Sequence, residues 1–103
     1  MDRIAKLIAF LGVSPSDAFL QHALALEYIK IGDDIGARTL FESILDRDPK
    51  YIGSYYHLAK LLERMGDVGL AVQWYQKGIE AARAVGDKHA MNELVMAYQE
   101  ITD

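Results

Sequence analysis

Residues 21–41 read QHALALEYIKIGDDIGARTLF and residues 55–75 read YYHLAKLLERMGDVGLAVQWY. Laid over each other at an offset of 34, the two stretches pair Leu24-Ala25 with Leu58-Ala59, Gly32-Asp33 with Gly66-Asp67, and Ala37 with Ala71. Similar residues stay in step: Lys30 with Arg64, Phe41 with Tyr75, Leu45 with Ile79, Asp46 with Glu80. Pro15 and Pro49 stand at the same spacing. Agreement among small, aromatic and turn residues at one period marks an internal repeat, in which each unit is one supersecondary element.

Each unit reads as two helices around a tight Gly-Asp turn. In the first, a helix capped near Ser16 carries Phe19 or Leu20, Ala23, Leu24, Leu26 and Ile31 as far as Gly32. Glycine there supplies the left-handed conformation that ends a helix at low cost, and Asp33 or Asp34 caps the next. The second helix holds Ala37, Leu40, Phe41, Ile44 and Leu45. It stops at Asp48-Pro49, because proline restricts the residue before it. The second unit runs from Ile52 to Met65, turns at Gly66-Asp67, and resumes from Val68 to Val85. With no proline at its expected stop, that helix continues to Gly86-Asp87, after which a final helix spans Lys88 to Ile101. No strand-like alternation competes with this pattern.

The chain opens on Arg3, Lys6 and an apolar run from Leu7 to Val13. Ser14-Pro15-Ser16-Asp17 follows instead of a small-x-small cleavage site, so a signal peptide is set aside. Ile4, Leu7, Ile8 and Leu11 have the spacing of an amphipathic helix. No stretch approaches the ~20 apolar residues of a membrane span, and the expected location is cytoplasmic. A length of 103 residues suits one globular domain with a modest core. Eleven Lys and Arg against fifteen Asp and Glu give a formal charge of −4, with no basic block of the kind that neutralises phosphates. Zero cysteines exclude disulfides, iron–sulfur clusters, thiolate zinc sites and cysteine nucleophiles.

These residues resemble the tetratricopeptide repeat (TPR), whose 34-residue pattern is W-x2-L-G-x2-Y, then A-x3-F, then P. Unit one matches as Gln21-x2-Leu24-Ala25-x2-Tyr28, Ala37-x3-Phe41 and Pro49. Unit two matches as Tyr55-x2-Leu58-Ala59-x2-Leu62 and Ala71-x3-Tyr75, with Arg83 where the proline belongs. The departures are Gln21 for the aromatic, alanine for the first glycine in both units, Leu62 for tyrosine and Arg83 for proline. The opening segment resembles the second half of a preceding repeat. The last helix, with Leu94 and Tyr98 spaced like Leu24 and Tyr28, resembles the first half of a following one.

The resemblance implies an all-α fold, an α-solenoid of stacked antiparallel helix pairs with about six helices. It would form one domain over 1–103: a half-repeat helix at 1–15, repeat one at 18–51, repeat two at 52–85 and a capping helix at 86–103. It further implies a non-catalytic scaffold that holds a peptide or protein segment in a concave groove built from the first helix of each pair. That groove would be lined by Phe19, His22, Leu26, Ile29 and Lys30, then Tyr56, Lys60, Glu63 and Arg64, then His89, Asn92, Met96 and Gln99. In this arrangement Lys60 and Arg64 would meet an acidic group. A clamp for a C-terminal carboxylate is disfavoured, because Leu26 and Lys60 stand where it wants asparagine and His22 where it wants lysine.

Other chemistry finds little support. His22, His57 and His89 lie on three helices without a pair that would place two metal ligands on one face. Ser14, Ser16, Ser43 and Ser54 lack a triad order, and the glycines fall at turns and not in a phosphate-binding loop. Asp33-Asp34 and Asp46-x-Asp48 read as caps and a helix end, not as an acid/base pair. No cofactor, metal or enzyme activity is therefore expected, and no nucleic acid or membrane partner. The alternative to a peptide-binding scaffold is a homodimer formed through the groove or the terminal helices. Of Trp74 and Tyr75, one matches the core position and the other should be partly exposed. If the register is right, Leu58→Ala leaves a cavity costing about 2–5 kcal/mol, and a thermal melt of that variant should fall well below wild type.

Overall fold

The computed structural model describes residues 2–103, so the first position of the 1–15 half-repeat lies outside them. Six helices follow in order: α1 Arg3–Val13, α2 Ala18–Lys30, α3 Asp34–Arg47, α4 Gly53–Arg64, α5 Val68–Val85 and α6 Lys88–Thr102. Among the described residues there is no strand.

Aspartate starts five of these helices. Asp2, Asp17, Asp33, Asp67 and Asp87 each accept, through a side-chain oxygen, the backbone N–H three residues on, at 2.8–3.2 Å. Each such cap satisfies a donor that the helix leaves unpaired and is worth about 1 kcal/mol. At the start of α2 the cap is Asp17 and not the expected Ser16, since the carboxylate both accepts the bond and meets the positive end of the helix dipole. At the following turn Asp33 caps α3, while Asp34 is that helix's first residue. Only α4, opening at Ile52, has no side-chain cap.

Three turns share one construction. Gly32, Gly66 and Gly86 have φ of 82°, 87° and 75°, which only glycine adopts without strain. The glycine N–H bonds the carbonyl three residues back, and the next aspartate N–H bonds the carbonyl five back, as in Asp33 to Tyr28, Asp67 to Leu62 and Asp87 to Ala82, each at 2.9 Å. This is the Schellman closure. The first two instances lie inside repeats. The third joins α5 to α6, where Arg83 has replaced the proline that stops α3, so α5 runs on to Val85.

The helices form two compact units, one ending at Asp48 and the other running from Pro49 to Asp103. In the first, α2 packs on both α1 and α3. Leu7, Ala23 and Leu24 are buried together, with Ile4, Leu11, Leu20, Tyr28 and Leu40 around them. Of the four apolar residues read as the inner face of α1, Ile8 departs from the pattern and is half exposed. In the second unit α5 packs on α4 and α6, which also touch each other. The repeat positions Ala37, Phe41, Leu58, Ala71 and Tyr75 are all fully buried.

A hydrogen bond also recurs with the 34-residue period. Gln21 Nε2 donates to the Pro15 carbonyl at 3.2 Å, and Tyr55 Oη donates to the Pro49 carbonyl at 2.6 Å. The side chain at this position therefore ties its helix to the proline junction that precedes it. Tyrosine does so cleanly, whereas the buried amide of Gln21 leaves its Oε1 without a partner.

Close approach governs the middle of the second unit. A methyl group added at Gly78 would lie 2.7 Å from Tyr55 Cβ and 3.1 Å from Leu94 Cδ1, whereas one at Gly69 would meet nothing within 4 Å. Gly78→Ala should therefore overpack the junction of three helices and lower stability by about 1–3 kcal/mol. Gly69→Ala should instead gain up to about 1 kcal/mol from helix propensity. Paired thermal melts check the opposite signs.

Candidate peptide-binding surface

In the first unit, α2 carries Phe19, His22, Leu26, Ile29 and Lys30, whose intervals of three and four place them along one side of the helix. Phe19 is 70% exposed; His22, Leu26 and Ile29 are half-buried. The His22 ring meets Phe41 edge-on, with centroids 5.5 Å apart. At the end of the row, Lys30 Nζ donates to Glu27 at 2.9 Å, and Arg3 Nε lies 3.6 Å from the same carboxylate. Glu27 thus gathers two cations at the exit of α2.

The second unit offers a defined pocket of about 140 Å³ between α4 and α6. It is lined by Tyr56 and Lys60 from α4, and by Glu93, Met96, Ala97 and Glu100 from α6. Lys60 Nζ lies 3.6 Å from Glu63, 3.9 Å from Glu100 and 5.8 Å from the centre of the Tyr56 ring. Glu63 is only 21% exposed and also accepts the hydroxyl of Tyr75. Burial, reinforced by that bond, pushes the Tyr75 phenol far above its ordinary range, so it stays a donor. A buried tyrosine thereby fixes Glu63, and Glu63 in turn helps to fix Lys60. The His57 ring packs edge-on to Tyr56 at 5.8 Å. Its pKa is lowered by burial, with Glu93 opposing the shift, so the neutral imidazole prevails at pH 7.

Of the residues expected to form a groove, Tyr56, Lys60 and Met96 come together on this pocket, with Glu63 bound to Lys60 behind it. Arg64, His89, Asn92 and Gln99 are exposed and lie outside the lining. Glu93, Ala97 and Glu100 were missed. Leu94 is buried as Leu24 and Leu58 are, so Asn92, Met96 and Gln99 are the repeat equivalents of Tyr56, Lys60 and Glu63. A pocket between two neighbouring helices, however, uses opposite flanks of the two. Glu93 and Ala97 therefore sit one residue later on α6 than Asn92 and Met96, positions that a search for equivalent residues passes over, while Glu100 is the equivalent of Arg64. Their signal was present as acidic residues at an interval of seven, Glu93 and Glu100, flanking the alanine that lets the helices approach.

Two further features complete the unit's surface. Trp74, the partly exposed member of the Trp74-Tyr75 pair, lies 6.0 Å from Tyr55 by ring centroid and carries Lys77 Nζ 4.7 Å over its face. On the same side, an apolar depression of about 550 Å³ is bounded by Pro49, Tyr55, Lys77 and Ala84. Among the described residues no helix is long and apolar enough to cross a membrane, and no three His, Asp or Glu side chains gather as metal ligands would.

The sequence profile of the tetratricopeptide repeat matches residues 52–85, the second repeat. A TPR repeat-containing protein of Pseudomonas aeruginosa is 29% identical over 93 residues, covering 90% of this chain and 89% of that protein. A protein from Bordetella parapertussis, solved in solution, superposes with a TM-score of 0.84 at 26% identity, over 98% of this chain and 88% of its own. The crystal structure of a tetratricopeptide repeat domain protein from Salinibacter ruber is 40% identical, with a TM-score of 0.79, and aligns with 82% of this chain and 94% of its own. With that identity over nearly the whole of a solved repeat domain, and with the period, turns and buried positions described above, this chain belongs to the tetratricopeptide repeat family.

Proposed function

We propose that this protein holds a segment of a protein partner non-covalently and without a catalytic step. Proteins of its family generally mediate protein–protein interaction. The binding residues of the first unit are Phe19, His22, Leu26, Ile29 and Lys30. Those of the second unit are Tyr56, Lys60, Glu63 and Arg64 together with His89, Asn92, Met96 and Gln99. The observation that supports this most is the α4–α6 pocket of the second unit, which gathers an aromatic ring, a thioether and charged groups. Phe19 and Met96 add to it. They are 70% and 64% exposed, and large apolar side chains left in water at a candidate binding face are the kind that anchor a partner.

A second reading is favoured by the outer surface of α1, where Ile8, Phe10 and Val13 are 50%, 58% and 86% exposed. There the protein pairs with a second copy of itself. Two measurements separate the readings. Affinity capture with Phe19→Glu and Met96→Glu should lose the partner by about tenfold or more, because each change puts a charge into a desolvated contact; circular dichroism verifies that both variants stay folded. Equal recovery by wild type and both variants would reject this face. Sedimentation equilibrium reports self-association, and a dimer that Phe10→Glu dissociates would establish the second reading.

A further inference from the structure

The charged groups at the α4–α6 pocket do not balance. The lining carries two carboxylates, Glu93 and Glu100, against one ammonium, that of Lys60, on a wall made by the Tyr56 ring, Met96 and Ala97, and Glu63 lies 3.6 Å from Lys60 behind it. The neighbouring His57 adds no positive charge at pH 7, since burial keeps it neutral. Lys60 is already held by two carboxylates and the Tyr56 ring, so it is poorly placed to recruit an acidic group from outside.

We propose that the pocket receives a basic side chain, arginine in preference to lysine, from the partner segment. The proposal rests on the partner-binding reading above and names the chemistry recognised there. Lys60 reports what the site stabilises: its ammonium sits between carboxylates and over an aromatic face, the environment that a guanidinium or ammonium seeks. A volume of about 140 Å³ is well below the ~300 Å³ at which pockets for whole small molecules begin. It therefore accommodates one long side chain. Glu93 and Glu100 are seven residues apart, about 10.5 Å along α6, so one carboxylate stands at each end of the opening. A planar guanidinium stacks on the Tyr56 ring and bonds a carboxylate with two N–H groups, which an ammonium does not do; this is the origin of the preference for arginine. The chain's formal charge of −4 attracts a cationic segment before contact.

In this scheme Lys60 is an internal competitor. The incoming cation shares its carboxylates, and removing the Lys60 charge should strengthen binding, an effect that damage to the fold does not produce. The probe is N-acetyl-arginine N-methylamide, titrated into the labelled protein and followed by amide NMR, with the neutral isostere N-acetyl-citrulline N-methylamide as control. The arginine compound should shift the signals of Tyr56, Lys60, Glu93, Met96 and Glu100, and the citrulline compound should leave them in place. The double variant Glu93→Gln, Glu100→Gln, both positions being exposed, should weaken binding by about tenfold. Lys60→Met should tighten it by about threefold, since a repulsive charge is removed while the apolar stem is kept. Equal shifts from both compounds, no shift from either, or weaker binding by Lys60→Met would overturn the proposal. A captured protein partner that Phe19→Glu loses but the double glutamine variant retains would also overturn it, while leaving partner binding in place.

Discussion

Each Gly-Asp reversal of this chain depends on a glycine held near φ +80° and on the aspartate that follows it. The glycine ends one helix by letting two backbone N–H groups turn back onto its last carbonyls, and the aspartate starts the next by taking a free N–H into its carboxylate. Helices of 11 to 18 residues are marginal in water by themselves. The turn returns each one against its predecessor before much loop entropy is lost. Packing then depends on small residues at the crossing points. Ala37 and Ala71 are fully buried, and Gly78 has no room for a methyl group between Tyr55 and Leu94. The geometry of the second unit, and of the pocket between α4 and α6, follows from those contacts.

Acidic residues outnumber basic ones, and the structure divides them by task. Five aspartates cap helices, which accounts for part of the negative charge without reference to a ligand. Glu27 and Glu63 act as local hubs, the former for Arg3 and Lys30, the latter for Lys60 and the Tyr75 hydroxyl. Exposed pairs of this kind contribute little to stability, but Glu63 is mostly buried and is fixed by a buried phenol. What remains at the α4–α6 pocket, Glu93 and Glu100 beside an aromatic ring, has no role as a cap; Glu100 lies 3.9 Å from Lys60, and Glu93 lines the same pocket.

Where α5 departs from the repeat, the cause is chemical. Pro49 forces Asp48 out of helical conformation and ends α3 at Arg47. Arg83 imposes no such restriction, so α5 gains an extra turn, and the chain reuses the Gly-Asp device to reach α6. Gln21 is a second departure. Where Tyr55 satisfies its one hydroxyl on the Pro49 carbonyl, Gln21 brings two polar atoms to the equivalent place and satisfies one. A repeat thus tolerates local exceptions when the small residues and turns are kept.

The fold was legible in the sequence because local chemistry dictates it. A glycine that must adopt positive φ, an aspartate that must cap, a proline that must stop a helix and an alanine that must let another backbone near all act within a few residues, and they recur every 34. Helix limits followed to within one or two residues, and Val68–Val85 matched the structure outright. Only the tertiary structure decided which flanks of α4 and α6 face each other, and with that the pairing of Lys60 to Glu63 and Glu100 and the shape of the pocket. The reason is geometric: each residue turns about 100° around its helix axis. A one-position difference in facing therefore exchanges Asn92 for Glu93, and no local signal in the chain records the angle at which two helices meet.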